Sequence, residues 1–265
     1  MRILFFGDIV GKIGRKALAA VMPGVRNELH PDVVIVNGEN MAHGLGITRK
    51  TLEDVLACGV DAVTTGNHIG SKEEFQSILE EHGSRVLRPA NYPPAVPGRG
   101  VHVIAVGSRS LAIVNLMGRV FMHEILDCPF RTFDALMQTP ALAHADAVVV
   151  DFHAEATSEK NAFGWHADGR AHAVIGSHTH VPTADAKILP KGCAYLTDAG
   201  MVGGRDGVIG VHTEGPLRGF LTQLNGKFEV IESGMAQVNG VVIDIDPAAR
   251  RATAIQRFDK EVSIG

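Results

Sequence analysis

Short runs of β-branched residues alternate with helix-like stretches along most of this 265-residue chain, and that alternation leaves few folds open. The first predicted elements, in order, are strand Arg2–Phe6, helix Gly14–Leu29, strand Asp32–Asn37, helix Thr48–Cys58 and strand Asp61–Thr65. Strands and helices that alternate in this way build a mainly parallel sheet covered by helices, which is an α/β fold.

The pattern changes after Gly200, where we expect little helix. Phe228–Glu232, Gly240–Ile245 and Ala252–Phe258 alternate in polarity and are predicted as antiparallel strands. We therefore expect one domain over residues 1–265, with an α/β first half, a β-rich second half, and two packed sheets flanked by helices. The glycine-rich stretch 200–210 is a candidate internal boundary, although we expect neither side of it to fold alone.

Composition excludes several classes of protein. Apolar residues make up 45% of the chain and charged residues 20%, which suits a buried core and excludes a disordered chain. No apolar run approaches the roughly 20 residues that span a bilayer, so we expect no membrane segment. The opening MRILFFGDIVGK has no small-residue cleavage site and therefore predicts a strand instead of a signal peptide.

Net charge and cysteine content favour a cytoplasmic protein that binds small ligands. The net charge is −4 and there is no basic block, so we expect no stable complex with nucleic acid. Three scattered cysteines without a CxxC pair argue against disulfides and thiolate zinc sites, and they favour a reducing cytoplasm. The unusual feature is a set of 13 histidines, several of them clustered.

Side chains that can bind metal follow five of the predicted strands. In chain order they are Asp8, Glu39-Asn40, Asn67-His68, His153, and the pair His178 and His180. Ligands of open α/β sheets bind beyond the carboxyl ends of the strands, and glycine before four of these turns lets the backbone bend sharply there. We therefore expect these side chains to meet at one rim.

Each of these residues also has an ordinary explanation. Asp8 alone could cap a helix, Asn67-His68 could be turn residues, and His153 could satisfy a hydrogen bond in the core. The two histidines of His178-Thr179-His180 point to the same side of an extended chain, which suits metal ligation better. Taken together, so many such side chains at equivalent strand ends predict a metal site.

The ligand types indicate which metal chemistry is available. Histidine, carboxylate and amide ligands without sulfur favour manganese, iron or zinc over calcium and magnesium. The candidates exceed the needs of one ion, so two ions that share a bridging carboxylate are expected. Two divalent ions beside Asp8 and Glu39 leave a net charge of about +2, which attracts phosphate oxygens.

The order Gly-Asp, Gly-Asn-His and Gly-x-His-x-His resembles the calcineurin-like metallophosphoesterases. Those enzymes usually open with Asp-x-His and carry Gly-Asp-x-x-Asp, whereas this chain has Asp8-Ile9-Val10 and Gly38-Glu39-Asn40. That variation is similar to the bacterial YmdB-like phosphodiesterases. Further stretches that carry the resemblance are FGDIVG (6–11), DFHAEATSEK (151–160), SHTHVPTAD (177–185) and LTDAGM (196–201).

The resemblance implies a four-layer α-β-β-α sandwich and hydrolysis of small phosphodiesters, including 2′,3′-cyclic nucleotides. It also implies a homo-oligomer and a centre of two metal ions, often iron, with manganese or zinc as alternatives. One ion would be held by Asp8, Asn40 and His180 and the other by Asn67, His153 and His178, with Glu39 bridging them.

The mechanism predicted from these residues is in-line attack on phosphorus by a metal-bridging hydroxide. His68 would protonate the leaving alkoxide, or would only orient the neighbouring Asn67. Two other functions stay open: a regulatory protein that binds metal and nucleotide with only incidental phosphoesterase turnover, and a metal-dependent amidase. Trp165 could stack on a base, with ordinary packing as the simpler explanation.

Overall fold

The computed structural model describes residues 1–83, 85–224 and 226–265. The strands are β1 (Arg2–Ile9), β2 (Val33–Asn37), β3 (Ala62–Thr64), β4 (Val101–Val106), β5 (Arg109–Met117), β6 (Ala147–His153), β7 (Ala173–Ser177), β8 (Lys187–Ile188), β9 (Ala194–Leu196), β10 (Met201–Gly204), β11 (Gly234–Asp246) and β12 (Arg251–Ile264). The α-helices are α1 (Gly11–Leu29), α2 (Arg49–Ala57), α3 (Phe75–His82), α4 (Pro129–Met137), α5 (Pro140–Ala143), α6 (Thr157–Ala167) and α7 (Glu214–Thr222).

The strands form two mixed six-stranded sheets. The first has the order β12-β11-β10-β1-β2-β3, and the second has the order β4-β5-β6-β7-β9-β8. In the first sheet β1, β2, β3 and β10 run parallel, while β11 pairs antiparallel with β1 and β10. In the second, β5, β6, β7 and β9 run parallel. The carboxyl ends of the parallel strands therefore share one rim in each sheet.

The two sheets pack face to face because alternate residues of each strand point to opposite sides. Ile3 and Phe5 of β1 meet Ile113, Val149 and Ile175 of the second sheet in a central core. The outer face of the first sheet packs against α1, α2 and α3, and that of the second packs against α4 and α6. This arrangement confirms the predicted four-layer α-β-β-α sandwich.

Local structure after Gly200 differs from the prediction. Residues 228–232 are not a strand, since only Val230 pairs there, through an isolated bridge to Val211. The stretch 200–210 is not a boundary, because it contains β10, which lies between β1 and β11. Helix α7 was not expected. Pairing with neighbours decides such short strands more than local propensity does.

Among the helices described, none is long and apolar enough to cross a membrane.

Candidate metal centre

The strand ends of both sheets bring the predicted ligands to one place between them. Asp8 lies inside β1, one residue before its end, and is fully buried. It is not a helix cap, because the residue that precedes α1 as its N-cap is Val10. A register shift between Phe6 and Asp8 marks a bulge at Gly7, where a Cβ would lie 1.9 Å from the Gly200 carbonyl oxygen. The bulge turns Asp8 towards the rim.

Glu39, His153 and His178 form the tightest group, with ligand atoms that all lie within 4.8 Å of one another. The Nε2 atom of His153 is 3.2 Å from Glu39 Oε1, 3.0 Å from His178 Nδ1 and 3.0 Å from Asn67 Oδ1. Four potential ligand atoms thus surround one small volume. Gly66 leaves room for it, since a Cβ there would lie 2.1 Å from the His153 ring.

The electrostatics around Glu39, His153 and His178 favour a bound cation. Burial alone raises the pKa of Glu39, but the charge and hydrogen bond of His153, followed by those of His68, outweigh burial and lower that pKa to about 2. Burial lowers the pKa of His153, yet Glu39 and Asp8 outweigh it and raise that pKa to about 9. Positive charge is therefore favoured among these acceptors, and a metal ion would supply it. Burial, followed by the charge on His153, lowers the pKa of His178 to about 3, which favours the neutral ring that ligation requires.

Asp8, Asn40 and His180 form a second group beside the first. The Nε2 atom of His180 lies 3.0 Å from Asn40 Nδ2 and 3.9 Å from Asp8 Oδ1. Burial raises the pKa of Asp8 to about 6, against the opposing effect of His180 and His153. The Oδ1 atoms of Asp8 and Asn40 are buried and have no hydrogen-bond partner among the described residues. Buried acceptors are rarely left unpaired, and these two fit a bound cation.

His68 borders the same centre. Its backbone amide donates to Glu39 Oε2 at 3.0 Å, and its ring Nε2 lies 3.2 Å from Asn67 Nδ2. The half-buried ring lines the cavity above the metal-binding candidates. All eight predicted site residues are therefore brought together.

A cavity of about 650 Å³ opens above these residues. Its floor includes Glu39, Asn40, His68, His178 and His180, and its walls are mainly apolar. No lysine or arginine is among the described residues that line it. This volume lies within the range of about 300–1,000 Å³ that is usual for pockets that bind small ligands.

The sequence matches the family model of the YmdB-like proteins over residues 4–258. The chain belongs to this family. It is 45% identical over 258 residues to the 2′,3′-cyclic-nucleotide 2′-phosphodiesterase of Bacillus subtilis, covering 97% of this chain and 96% of the relative. The predicted resemblance to the YmdB-like proteins is therefore confirmed.

Solved structures show the same fold. A hypothetical protein from Thermus thermophilus has a TM-score of 0.91 and 42% identity, covering 98% of this YmdB-like chain and 99% of its own. A phosphatase from Mycoplasma pneumoniae has a TM-score of 0.92 and 34% identity, and the match covers 100% of this chain and 94% of the phosphatase chain. The predicted enzyme class, a phosphoric ester hydrolase, is confirmed.

Residues that support the ligands were not predicted. Ser177 Oγ donates to Asp151 at 2.6 Å, so it accepts from Nδ1 of His153 at 2.9 Å and leaves Nε2 facing the centre. Asn37 and Thr64 also donate to Asp151. The available signal was an acidic residue within the otherwise apolar run 147–152, two positions before His153.

A buried ion pair in this YmdB-like chain supports the loop that carries His178 and His180. Lys160 Nζ donates to Asp198 at 2.6 Å and to the Ser177 carbonyl at 2.8 Å, and both charged side chains are inaccessible to solvent. Asp198 in turn accepts from the Thr179 amide at 3.1 Å. The pair fixes a loop whose two histidines have positive φ, a conformation that costs free energy without such support.

Proposed function

We propose that this protein is a phosphodiesterase that depends on two metal ions and hydrolyses small nucleotides such as 2′,3′-cyclic nucleotides. One observation carries the proposal: the metal-capable residues predicted from the strand ends come together in one cluster, and four of them, Glu39, Asn40, His178 and His180, line one cavity. The relative from B. subtilis, named for the same reaction, supports the substrate class.

In this proposal Asp8, Asn40 and His180 hold one ion, and a second ion is held by Asn67, His153 and His178. Glu39 bridges them, which its Oε1 supports by lying 3.2 Å from His153 Nε2 and 3.5 Å from Asn40 Nδ2. The nitrogen and oxygen donors suit iron, manganese or zinc, and the family resemblance places iron first. When bound, two such ions polarise phosphoryl oxygens and supply hydroxide at neutral pH.

The role of His68 in the proposal is to donate a proton to the leaving alkoxide. The link from its backbone to Glu39 ties the ring to the centre, and the ring borders the cavity where substrate would lie. Proton donation by a positioned histidine commonly contributes about 10²–10⁴-fold to the rate. Asn67, which touches the same ring, keeps the proton donor next to the metal ligands.

The lining of the cavity favours diesters over monoesters. A monoester carries a second negative charge that enzymes often bind with arginine, and no arginine lines this cavity among the described residues. Glu155, which does line it, opposes further negative charge. A diester with one negative charge fits better.

The test is turnover by protein of known metal content. We expect two metals per chain by elemental analysis and metal-dependent hydrolysis of 2′,3′-cyclic nucleotides, at least tenfold better in kcat/KM than matched monoesters (about 1.4 kcal/mol). Loss of turnover on chelation and recovery on metal addition should accompany it. Nucleotide binding with negligible kcat would favour the regulatory alternative. We also propose a homo-oligomer, which rests on the family resemblance and which sedimentation velocity tests. The cysteine content supports a cytoplasmic location, and the order of the elements supports a single domain.

A further inference from the structure

The hairpin at 208–211 holds a β-branched residue where the backbone disfavours it. Val208 and Val211 exchange two backbone hydrogen bonds, at 2.9 and 3.0 Å, so Ile209 and Gly210 form a two-residue turn. Both have positive φ, 46° and 95°. Turns of this kind favour Asn-Gly or Asp-Gly, and a β-branched residue with positive φ is a genuine outlier.

The backbone contact of Ile209 does not explain the choice of isoleucine. Its carbonyl oxygen accepts from His180 Nδ1 at 2.9 Å, which orients that ring. Any amino acid could supply this carbonyl, and asparagine would do so without the strain. Nor does burial explain it, because Ile209 is 48% exposed. Backbone strain that packing does not require points to a role for the side chain itself.

The Ile209 side chain belongs to an apolar wall of the cavity above the metal-binding candidates. Leu45, Val181 and Phe228 line the same cavity and are also exposed, Phe228 by 64%. Phe228 lies in the segment that pairs with the hairpin, since the Ile231 amide donates to the Gly210 carbonyl. The aromatic ring and the strained turn are therefore parts of one local structure.

The chemistry of the wall selects its ligand. Because no lysine or arginine is among the described lining residues, the wall has no cationic side chain of these types to bind a second phosphate. A flat group that is joined to the reacting phosphate through a sugar would cover these side chains with its apolar face. Stacking on an aromatic ring suits any base, because every base has a π-face. Trp165, considered above for stacking, is absent from the described lining, whereas Phe228 is present.

We propose that Ile209 and Phe228 form a slot for the nucleobase of the substrate, and that the strain at Ile209 is retained for this contact. This inference rests on the proposed function, because it places the phosphate of the same nucleotide at the metal-binding candidates. It adds that recognition is apolar and tolerates different bases.

The test exploits the opposite effects expected on stability and on selectivity. Ile209→Asn creates the favoured Asn-Gly turn and keeps the carbonyl to His180, so we expect Tm to rise by about 2–4 °C with unchanged metal content. The preference for 2′,3′-cyclic AMP over glycerol 1,2-cyclic phosphate, which has no base, should fall about tenfold as a ratio of kcat/KM, mainly through KM. Phe228→Ala, at an exposed position, should lower the same ratio by about fivefold or more.

His30→Asn is the matched control. His30 also has positive φ (47°), and it caps the carboxyl end of α1. The 19 residues of α1 place His30 roughly 28 Å from Gly11, the end of the helix that lies near the cavity. The variant His30→Asn should therefore leave the preference for the nucleotide over glycerol 1,2-cyclic phosphate unchanged.

An unchanged substrate ratio in both Ile209→Asn and Phe228→Ala overturns the slot, as does a loss of metal in Ile209→Asn with equal losses on the two substrates. If the metal-loaded wild type cleaves no diester, the proposed function fails, and calorimetric binding of the two compounds decides the slot separately. Tighter binding of the nucleotide that both variants lose would then support it, and equal binding would refute it.

Discussion

The buried ion pair between Lys160 and Asp198 leads to a quantitative prediction. Lys160→Met keeps most of the aliphatic length but removes the charge, so it leaves the Asp198 carboxylate buried without its counter-ion. Removing one partner of a buried pair costs about 3–5 kcal/mol. The amides of Thr179 and Gly200 still donate to Asp198, so we expect the lower end, about 3 kcal/mol of unfolding free energy.

The metal centre should be affected as well, because Asp198 anchors the loop that carries His178 and His180. Urea denaturation measures the loss of stability, and elemental analysis after dialysis measures how much metal each variant retains. We expect Lys160→Met to unfold at lower urea and to retain less metal at a temperature where it is still folded. A fall in Tm of roughly 6–12 °C corresponds to the stated loss of free energy.

Two further variants separate charge burial from side-chain packing. Adding Asp198→Asn to Lys160→Met removes the uncompensated charge, so the double variant should be more stable than Lys160→Met alone. Lys50→Met breaks an ion pair with Asp54 whose lysine is 79% exposed, and it should leave stability unchanged. A Lys160→Met protein within about 1 kcal/mol of wild type and with full metal content would refute the reasoning.

Three further predictions concern the centre itself. Glu39→Gln should lower metal occupancy in both sites, because it removes the shared charge, and full occupancy by elemental analysis would contradict bridging. His68→Ala should lower kcat on a 2′,3′-cyclic nucleotide by about 10²-fold while nitrophenyl diesters lose much less, since nitrophenolate leaves without a proton; equal losses at unchanged metal content would exclude the general acid. Gly66→Ala should leave a folded protein with little metal, because its Cβ would lie 2.1 Å from the His153 ring and 2.5 Å from Glu39 Oε2; normal metal content by elemental analysis would show that the two side chains can move aside.

Much of the centre was predictable because parallel strands end at a common rim. Glu39, Asn67 and His178 follow their strands within a few residues, so recognising the strands also located the candidate ligands. Asp8 was identified with its position slightly wrong, since β1 continues past it to Ile9. The alternation of β-branched runs with helix-like stretches behind these predictions is a local pattern, and it survives errors of two or three residues at each boundary.

Local patterns were less informative after Gly200. The run 228–232 looks like a strand but meets a partner only at Val230, and the glycine-containing β10 is a strand only because β1 and β11 lie on either side. Short segments of this kind have no strong preference of their own, so their neighbours decide their structure.

The sequence by itself determined the α/β class, the family and the set of candidate ligands, because each depends on spacing along the chain. Only the tertiary structure decided what holds and surrounds those ligands. Asp198 meets Lys160 across 38 positions, and Ile209 meets His180 across 29. Such contacts join loops and helices that follow different strands, and no periodicity in the sequence records where two such segments meet. Hydrogen bonds and ion pairs between distant segments therefore become visible only when the chain is folded.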